Sequence, residues 1–156
     1  MKHLGIFGNN WWLTLKNFYN GKNVLITGHT GFKGSWLSQI LVKWDANIVG
    51  YSLDSPTNPS LFDLLDLNSK MFSIIGDIRD LDRLKETFDE FQPEIVIHMA
   101  AQPLVRESYE NPVYTFETNV MGTVNVCECI RQSKSVKSFV NVTTDKVYEN
   151  IERKDK

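Results

Sequence analysis

The chain has 156 residues, of which 42% are hydrophobic and 23% charged, a composition typical of a folded domain with one core. Its formal net charge is −2, from 17 basic and 19 acidic side chains, which argues against a nucleic-acid-binding protein. The aromatic N-terminal segment is interrupted by Asn9, Asn10, Lys16 and Asn17 before it reaches the length of a signal peptide or membrane span. We therefore expect a cytoplasmic protein.

Five short aliphatic and β-branched runs predict strands. In chain order they are Asn23–Thr27, Asn47–Tyr51, Met71–Gly76, Glu94–His98 and Ser138–Val142. The first run stops at Gly28 and has the pattern of a strand that is buried on both faces.

Helical periodicity follows the first strand, and a loop follows the second. The spacing predicts a helix over about Lys33–Trp44. Its expected apolar face consists of Trp36, Leu37, Ile40 and Leu41. The stretch SLDSPTNPS after the second strand contains two prolines and predicts a loop.

Two further helices are predicted. Asp80 is placed to cap a helix that Pro93 ends, with Leu81, Leu84, Phe88 and Phe91 at helical spacing. In the last helix we expect Asn111 as the cap and Pro112 at the first helical position. Its predicted inner stripe is Val113, Phe116, Val120, Val124 and Cys127.

Strands alternate with helical or long connections throughout, which predicts a parallel sheet with right-handed crossovers. We therefore expect an α/β fold with a Rossmann-like parallel sheet of about five strands in the order 3-2-1-4-5, flanked by helices. The two cysteines, Cys127 and Cys129, are two positions apart on a predicted helix and point to different faces. This spacing favours buried reduced thiols over a disulfide or a shared metal, and no metal site is predicted.

Three glycines, Gly28, Gly31 and Gly34, lie where the first strand becomes a helix. Glycine lets backbone approach a pyrophosphate there, and the helix N-terminus offers free N–H groups and a positive dipole end. The spacing therefore predicts a dinucleotide cradle. A mononucleotide P-loop is disfavoured because Lys33 precedes the last glycine instead of following it.

The end of the second strand bears on the choice of dinucleotide. An acidic residue there ordinarily binds the adenosine ribose hydroxyls. This chain has Ser52 near that point and Asp54 slightly beyond it. NAD is the expected cofactor, and the spacing does not exclude NADP.

Several segments together resemble one enzyme family. They are TGHTGFKGSWL, GYSLDSPTNPSLF, GDIRD, HMAAQPLVRESYENP, the run that starts at Asn119 and TTDKVYEN. Over roughly Phe18 to Asn150 the sequence is similar to the CDP-glucose 4,6-dehydratases, which are extended short-chain dehydrogenases/reductases of deoxysugar synthesis. The resemblance divides the chain into an aromatic extension (1–20), an incomplete NAD-binding Rossmann domain (21–150) and a charged tail (151–156).

The resemblance implies cofactor-binding roles for three groups of residues. Around the pyrophosphate it places Gly28, Thr30, Gly31, Phe32, Lys33 and Gly34. Asp77 and Ile78 would meet the adenine, and Ala100, Ala101 and Asn119 would lie along the dinucleotide. Alternative interpretations are a turn cap for Asp77, close packing for the alanines and a backbone bridge for Asn119.

The reaction implied by the resemblance is an internal oxidation and reduction of CDP-glucose with loss of water across C5 and C6. Elimination needs a base and an acid whose pKa values differ. The implied catalytic residues are Thr144 as hydrogen-bond partner of the C4 oxygen, Asp145 as acid and Lys146 as base or charge stabiliser. Related TDP-glucose enzymes have Thr-Asp-Glu here, and the alternative for Asp145 and Lys146 is a solvated loop pair.

The family's tyrosine with a lysine four residues later is absent, since none of the five tyrosines is followed by lysine at that distance. We therefore expect a fragment that is inactive or nearly inactive alone. The alternatives are a non-catalytic dinucleotide-binding module and another nucleotide-sugar epimerase or dehydratase. The expected partner is CDP-glucose in a full-length parent, with no nucleic acid or membrane.

The N-terminal segment contains Phe7, Trp11, Trp12 and Phe18. We expect these aromatic residues to pack on the body of the domain. An exposed apolar patch there would instead promote self-association, and a homo-oligomer is therefore one possible state.

Overall fold

The structure is a computed structural model that describes residues 11–144. The strands are β1 Asn23–Thr27, β2 Asn47–Ser52, β3 Phe72–Ile75, β4 Ile95–His98 and β5 Ser138–Asn141. The α-helices are α1 Trp11–Tyr19, α2 Phe32–Lys43, α3 Leu61–Leu64, α4 Leu81–Phe91, α5 Val105–Glu110, α6 Pro112–Phe116 and α7 Gly122–Gln132. A 3-10 turn spans Leu67–Ser69, and a π-helical turn spans Glu117–Met121 between α6 and α7.

The five strands form one parallel sheet in the order β3-β2-β1-β4-β5, which confirms the predicted fold class. At the centre, Thr27 of β1 pairs with Tyr51 of β2 on one side and with His98 of β4 on the other. All carboxyl ends of the strands therefore meet at one edge of the sheet, where α/β folds of this kind bind ligands.

The core lies on both faces of the sheet. On one face, α4 and α7 cover the sheet with Leu84, Phe88, Val126 and Cys129 among the buried side chains. On the other face, the buried cluster includes Leu41 of α2 and Trp44 just after it. The first strand is buried on both faces as its sequence predicted.

The predicted inner stripe of the last helix is wrong. Its members lie on the exposed side, and Val113 and Phe116 are 70% and 67% exposed. The buried positions of this stretch are Thr118, Gly122, Val126 and Cys129. Gly122 explains the error: a Cβ there would lie 2.6 Å from a methyl carbon of Ile78, so a residue without an apolar side chain marks the packed face.

Three smaller expectations also need correction. Trp36 was predicted to face inward and is 49% exposed, whereas Leu41 is buried. Asn111 makes no capping bond to α6, although Pro112 is at its first position; the amide of Asn111 instead donates to Glu107 at 2.7 Å. Cys127 is exposed and Cys129 buried, so the two thiols point to different faces as expected but only one is buried.

The sequence reasoning missed α1, α3 and α5. Helix α1 contains the aromatic segment: Trp12 and Tyr19 contact Trp44, with ring centroids 4.8 and 5.6 Å apart, while Trp11 and Phe18 remain about half exposed. No residue of α1 is buried, and Trp12 itself is 45% exposed, so the expected packing is limited to these ring contacts. Phe7 lies outside the described residues. Within residues 11–144, no helix is both long and apolar enough to cross a bilayer.

Candidate cofactor-binding site

The glycine turn begins directly after β1. Gly28 has φ +77°, a conformation that strains other residues, and its N–H donates to the carbonyl of Tyr51 at 3.0 Å. A Cβ on Gly28 would lie 2.9 Å from the backbone nitrogen of Ala100. The turn therefore touches the loop that follows β4, and only glycine fits at this contact.

The other two glycines have different surroundings. A Cβ on Gly34 would collide with the carbonyl oxygen of Gly28, so Gly34 serves the close packing of α2 on the turn. A Cβ on Gly31 would meet only that same oxygen, at 3.4 Å, and otherwise points into open space. Gly31 is thus the glycine that leaves room for a ligand.

The start of α2 offers hydrogen-bond donors beside this space. The N-cap is Gly31, which has no side chain that could accept a hydrogen bond from the first N–H groups of the helix. Among the described residues, no acceptor pairs with the backbone N–H groups of Phe32, Lys33 and Gly34. The side chains of Phe32 and Lys33 are exposed. Free N–H groups at a helix N-terminus bind anions, so this end of α2 has the properties of a phosphate site.

Two buried residues of the turn were missed by the sequence reasoning. The Ser35 hydroxyl lies 2.8 Å from the carbonyl of Gly31 and 3.2 Å from that of His29, and it stabilises the turn from within. The His29 ring is fully buried against Phe62, with Nε2 2.7 Å from Ser73 Oγ. Burial lowers the pKa of His29 to about 4, so the ring is neutral near pH 7.

The end of β2, where an acidic residue ordinarily binds the adenosine ribose, has hydroxyl groups in this chain. Thr30 Oγ1 and Ser52 Oγ are 2.6 Å apart, and both lie within 2.9 Å of the carbonyl oxygen of Leu53. Both side chains are buried, whereas Asp54 is exposed. The predicted residue Thr30 therefore links the glycine turn to the end of β2.

The loop after β3 contains Asp77 and Ile78, which have different surroundings. The Asp77 carboxylate accepts from the backbone N–H of Arg79 at 2.9 Å and from its guanidinium at 2.7 Å. The hydrogen bonds from Arg79 lower the pKa of Asp77. Ile78 is buried against Gly122.

Arg79 was not singled out from the sequence, although it stands in the GDIRD segment. Its guanidinium also donates to Glu117 at 2.9 Å and lies 4.9 Å from the centre of the Tyr114 ring. Arg79 thus connects the β3 loop to the π-helical turn. All of these groups are partly exposed, so the contacts order the loop more than they stabilise the fold.

Ala100 and Ala101 lie in the loop after β4, and Asn119 of the π-helical turn contacts this loop. Ala100 packs against the core, and Ala101 is exposed. The Asn119 amide bridges the backbone of Gln102: its oxygen accepts from the Gln102 N–H at 2.7 Å and its nitrogen donates to the Gln102 carbonyl at 3.0 Å. Asn119 therefore holds this loop from the π-helical turn, a backbone bridge that the sequence reasoning had considered.

Of the three predicted catalytic residues, Thr144 is described and is exposed just beyond β5. Asp145 and Lys146 lie outside the described residues. Since β5 is parallel to its neighbour, residues 142–144 leave the sheet at the same edge as the glycine turn. In the part of the chain that is described, no three metal-ligating side chains cluster.

Comparison with known families matches nearly all of the sequence that forms the parallel sheet and the glycine turn. The profile of the GDP-mannose 4,6-dehydratase family matches residues 25–155. The chain belongs to the GDP-mannose 4,6-dehydratase family. This family includes nucleotide-sugar dehydratases with Rossmann-like folds, in agreement with the resemblance stated from the motifs.

Individual relatives are similar over most of the chain. A CDP-glucose 4,6-dehydratase from Salmonella typhimurium is 58% identical over 137 residues, which are 88% of this chain and 38% of the relative. An epimerase structure from Methanothermobacter thermautotrophicus has a TM-score of 0.74 at 30% identity, with 86% of this chain and 39% of the epimerase covered.

A third comparison involves a cofactor. The UDP-glucose 4-epimerase of Thermus thermophilus, solved as a complex with NAD, has a TM-score of 0.65 at 31% identity, covering 74% of this chain and 36% of the epimerase. The chain thus spans about two fifths of the length of these proteins. The Thermus thermophilus epimerase therefore binds NAD in a fold similar to that of this chain.

Proposed function

We propose that the chain supplies the NAD-binding half of a CDP-glucose 4,6-dehydratase, which converts CDP-glucose to CDP-4-keto-6-deoxyglucose and water. The observation that carries the proposal is the open space in front of Gly31, beside the unpaired N–H groups that begin α2. The 58% identity to a CDP-glucose 4,6-dehydratase supports the choice of substrate.

The geometry of the glycine turn supports the binding of a dinucleotide. The pyrophosphate would lie against the backbone from Gly28 to Gly34, where N–H groups are free and a side chain at Gly31 is missing. The remaining contacts that we propose are Asp77 and Ile78 at the adenine, with Ala100, Ala101 and Asn119 along the dinucleotide. The buried hydroxyls of Thr30 and Ser52, in place of a carboxylate, leave NADP as the alternative to test.

The proposed chemistry divides between cofactor and protein. NAD held along the backbone from Gly28 to Gly34 would supply the hydride chemistry, as acceptor of a hydride from the sugar and as its donor later in the same turnover. Thr144 donates a hydrogen bond to the C4 oxygen, Asp145 protonates the departing hydroxyl, and Lys146 acts as base or stabilises charge. A lysine base requires burial that lowers its pKa toward neutral pH.

We also propose that the 156-residue chain alone turns over little substrate. It contains no tyrosine followed four positions later by lysine. Loss of a positioned proton-transfer group typically costs about two to four orders of magnitude in rate. Sustained formation of the 4-keto-6-deoxy product by the purified chain would contradict this part of the proposal.

The binding proposal is tested by calorimetric titration of the chain with NAD and separately with NADP. Gly31→Val adds a side chain in front of the free N–H groups, and its Cβ would make only an ordinary contact, 3.4 Å from the carbonyl oxygen of Gly28. We expect it to weaken NAD binding at least about tenfold. Asp82→Val is the control, because it places the same side chain in the exposed first turn of α4. No saturable binding of either dinucleotide by the unsubstituted chain would refute the proposal.

A further inference from the structure

A chain of hydrogen bonds crosses the sheet beneath the candidate site. Thr27 Oγ1 lies 2.6 Å from Nδ1 of His98, and Nε2 of His98 lies 3.1 Å from Thr123 Oγ1. Thr27 and His98 are buried at 0% and 3% exposure. This hydrogen-bond chain joins β1, β4 and α7. The mechanism proposed above does not use it.

The two hydroxyls fix the direction of every bond. Thr27 Oγ1 accepts from the backbone N–H groups of Met99 and Ala100, both at 3.1 Å, so its own proton goes to Nδ1 of His98. Thr123 Oγ1 donates to the carbonyl of Asn119 at 2.7 Å and therefore accepts from Nε2. Only a neutral imidazole protonated at Nε2 satisfies the whole chain.

The ends of the chain lie at the two walls of the candidate site. Thr27 is the residue before Gly28, and its hydroxyl is the acceptor for the N–H of Ala100, the residue that touches Gly28. Thr123 is bonded to the backbone of Asn119, whose side chain holds Gln102. The chain therefore sets the spacing between the glycine turn and the loop after β4.

We propose that Thr27, His98 and Thr123 are positioning residues that fix the two walls of the dinucleotide site and thereby set its affinity for NAD. This inference rests on the proposed function, since it assigns the residues to the same site. The residues do not contact the cofactor themselves. Burial, which lowers the pKa of His98 to about 4, is consistent with the neutral ring that the chain requires.

The test compares Thr27→Val, which removes the hydroxyl at nearly constant size, with Thr27→Ser, which keeps it. A buried group left without its partner typically costs a free energy equivalent to about 5- to 150-fold in an equilibrium constant. We expect Thr27→Val to raise the Kd for NAD at least about tenfold and Thr27→Ser to restore it to within about threefold of the original value.

The control is Thr87→Val. Thr87 is also buried, and its hydroxyl donates to the carbonyl of Arg83 within α4, on an element that does not form the site. We expect its Kd for NAD to remain within about twofold of the original value. If Thr27→Val and Thr87→Val weakened NAD binding equally, the effect would be a general loss of stability and the proposal would be overturned. A Thr27→Ser protein that did not regain NAD affinity would overturn it as well.

Two measurements on the free protein keep the inference separate from the proposed function. Amide hydrogen exchange at Ala100 should accelerate at least about tenfold in Thr27→Val. Exchange at Met99 should change less, since its N–H also lies 3.2 Å from the carbonyl of Thr27. Nitrogen NMR should show the proton of His98 on Nε2. Unchanged exchange at Ala100 or a proton on Nδ1 would overturn the inference.

Failure of the unsubstituted chain to bind NAD would refute the proposed function, and the exchange and NMR results would then decide whether the hydrogen-bond chain fixes the loop. If Thr27→Val does not fold, Thr123→Val replaces it at the partly exposed end of the chain. It should raise the Kd for NAD at least about threefold. An unchanged Kd in a folded Thr123→Val protein would count against the proposal.

Discussion

Two helical stretches with similar sequence patterns differ in which face they bury. In α4 the apolar residues at helical spacing face the sheet, and Leu84 and Phe88 are 0% and 3% exposed. In the stretch from α6 to α7 the apolar stripe faces outward, and the packed face contains Thr118 and Gly122 instead. A 3.6-residue period thus identifies a face of a helix, whereas its burial depends on what lies opposite.

The largest effect should come from the buried face of α4. We expect Leu84→Ala to lower the free energy of unfolding by about 2–5 kcal/mol, because it deletes a fully buried side chain and leaves a cavity. Leu64→Ala is the matched control: Leu64 is 71% exposed on α3, and the expected change is under about 0.5 kcal/mol. Denaturant unfolding measures both, and similar losses would mean that α4 is not packed as described.

Acid should weaken the protein through the two histidines that are buried within residues 11–144. The pKa values of His29 and His98 are lowered from 6.5 to about 4 by burial. The unfolded chain therefore takes up protons first as the pH falls. The free energy of unfolding should be constant above about pH 6.5 and fall between about pH 6.5 and 4, by up to about 3 kcal/mol per histidine.

His98 is bonded to Thr123 of α7, and neither histidine is bonded to α4 among the described residues. Denaturant midpoints between pH 7 and 5 measure the decline. In His98→Gln about half of it should disappear. An unfolding free energy that does not change over this range would contradict the buried neutral rings.

Two valines of α7 test the face assignment directly. Val126 is 0% exposed, and Val124, two positions earlier, is 48% exposed. We expect Val126→Ala to cost about 1.5–3 kcal/mol and Val124→Ala less than about 0.5 kcal/mol. Thermal unfolding of the two variants measures the difference. If Val124→Ala were the more costly change, the stripe predicted from the sequence would be the buried one after all.

The smallest effect concerns how the two stretches begin. The Asp80 carboxylate accepts from the N–H of Arg83 at 3.1 Å and caps α4. Asp80→Ala should cost about 1 kcal/mol. Asn111→Ala should cost less than about 0.5 kcal/mol, because Asn111 makes no such bond to α6. Equal losses in urea unfolding would show that both residues act as caps.

The sequence was sufficient for the sheet order and the glycine turn because both depend on local patterns. Alternating strands and helices predict a parallel sheet, and the glycines mark where backbone must approach backbone or ligand. Gly31 faces open space, whereas Gly34 is packed against the backbone of Gly28. This difference depends on the fold and was not predicted.

The contacts that hold the site together join residues far apart in the chain. His98 and Thr27 are 71 positions apart, and Arg79 and Glu117 are 38 apart. No spacing rule connects such residues, and so Thr27, Arg79 and His98 were not identified as parts of the site. The roles of Asp145 and Lys146 remain predictions, since both residues lie outside the described part of the chain.

The central position of β1 has a consequence for the order of assembly during synthesis. β1 pairs with β2 and with β4, and Thr27 meets its partner His98 only after 71 further residues have been made. At roughly 5–20 residues per second, a ribosome needs about 4–14 seconds for that length. β1, β2 and β3 are thus made well before the loop after β4 exists, and the dinucleotide site cannot be complete until β4 has been made.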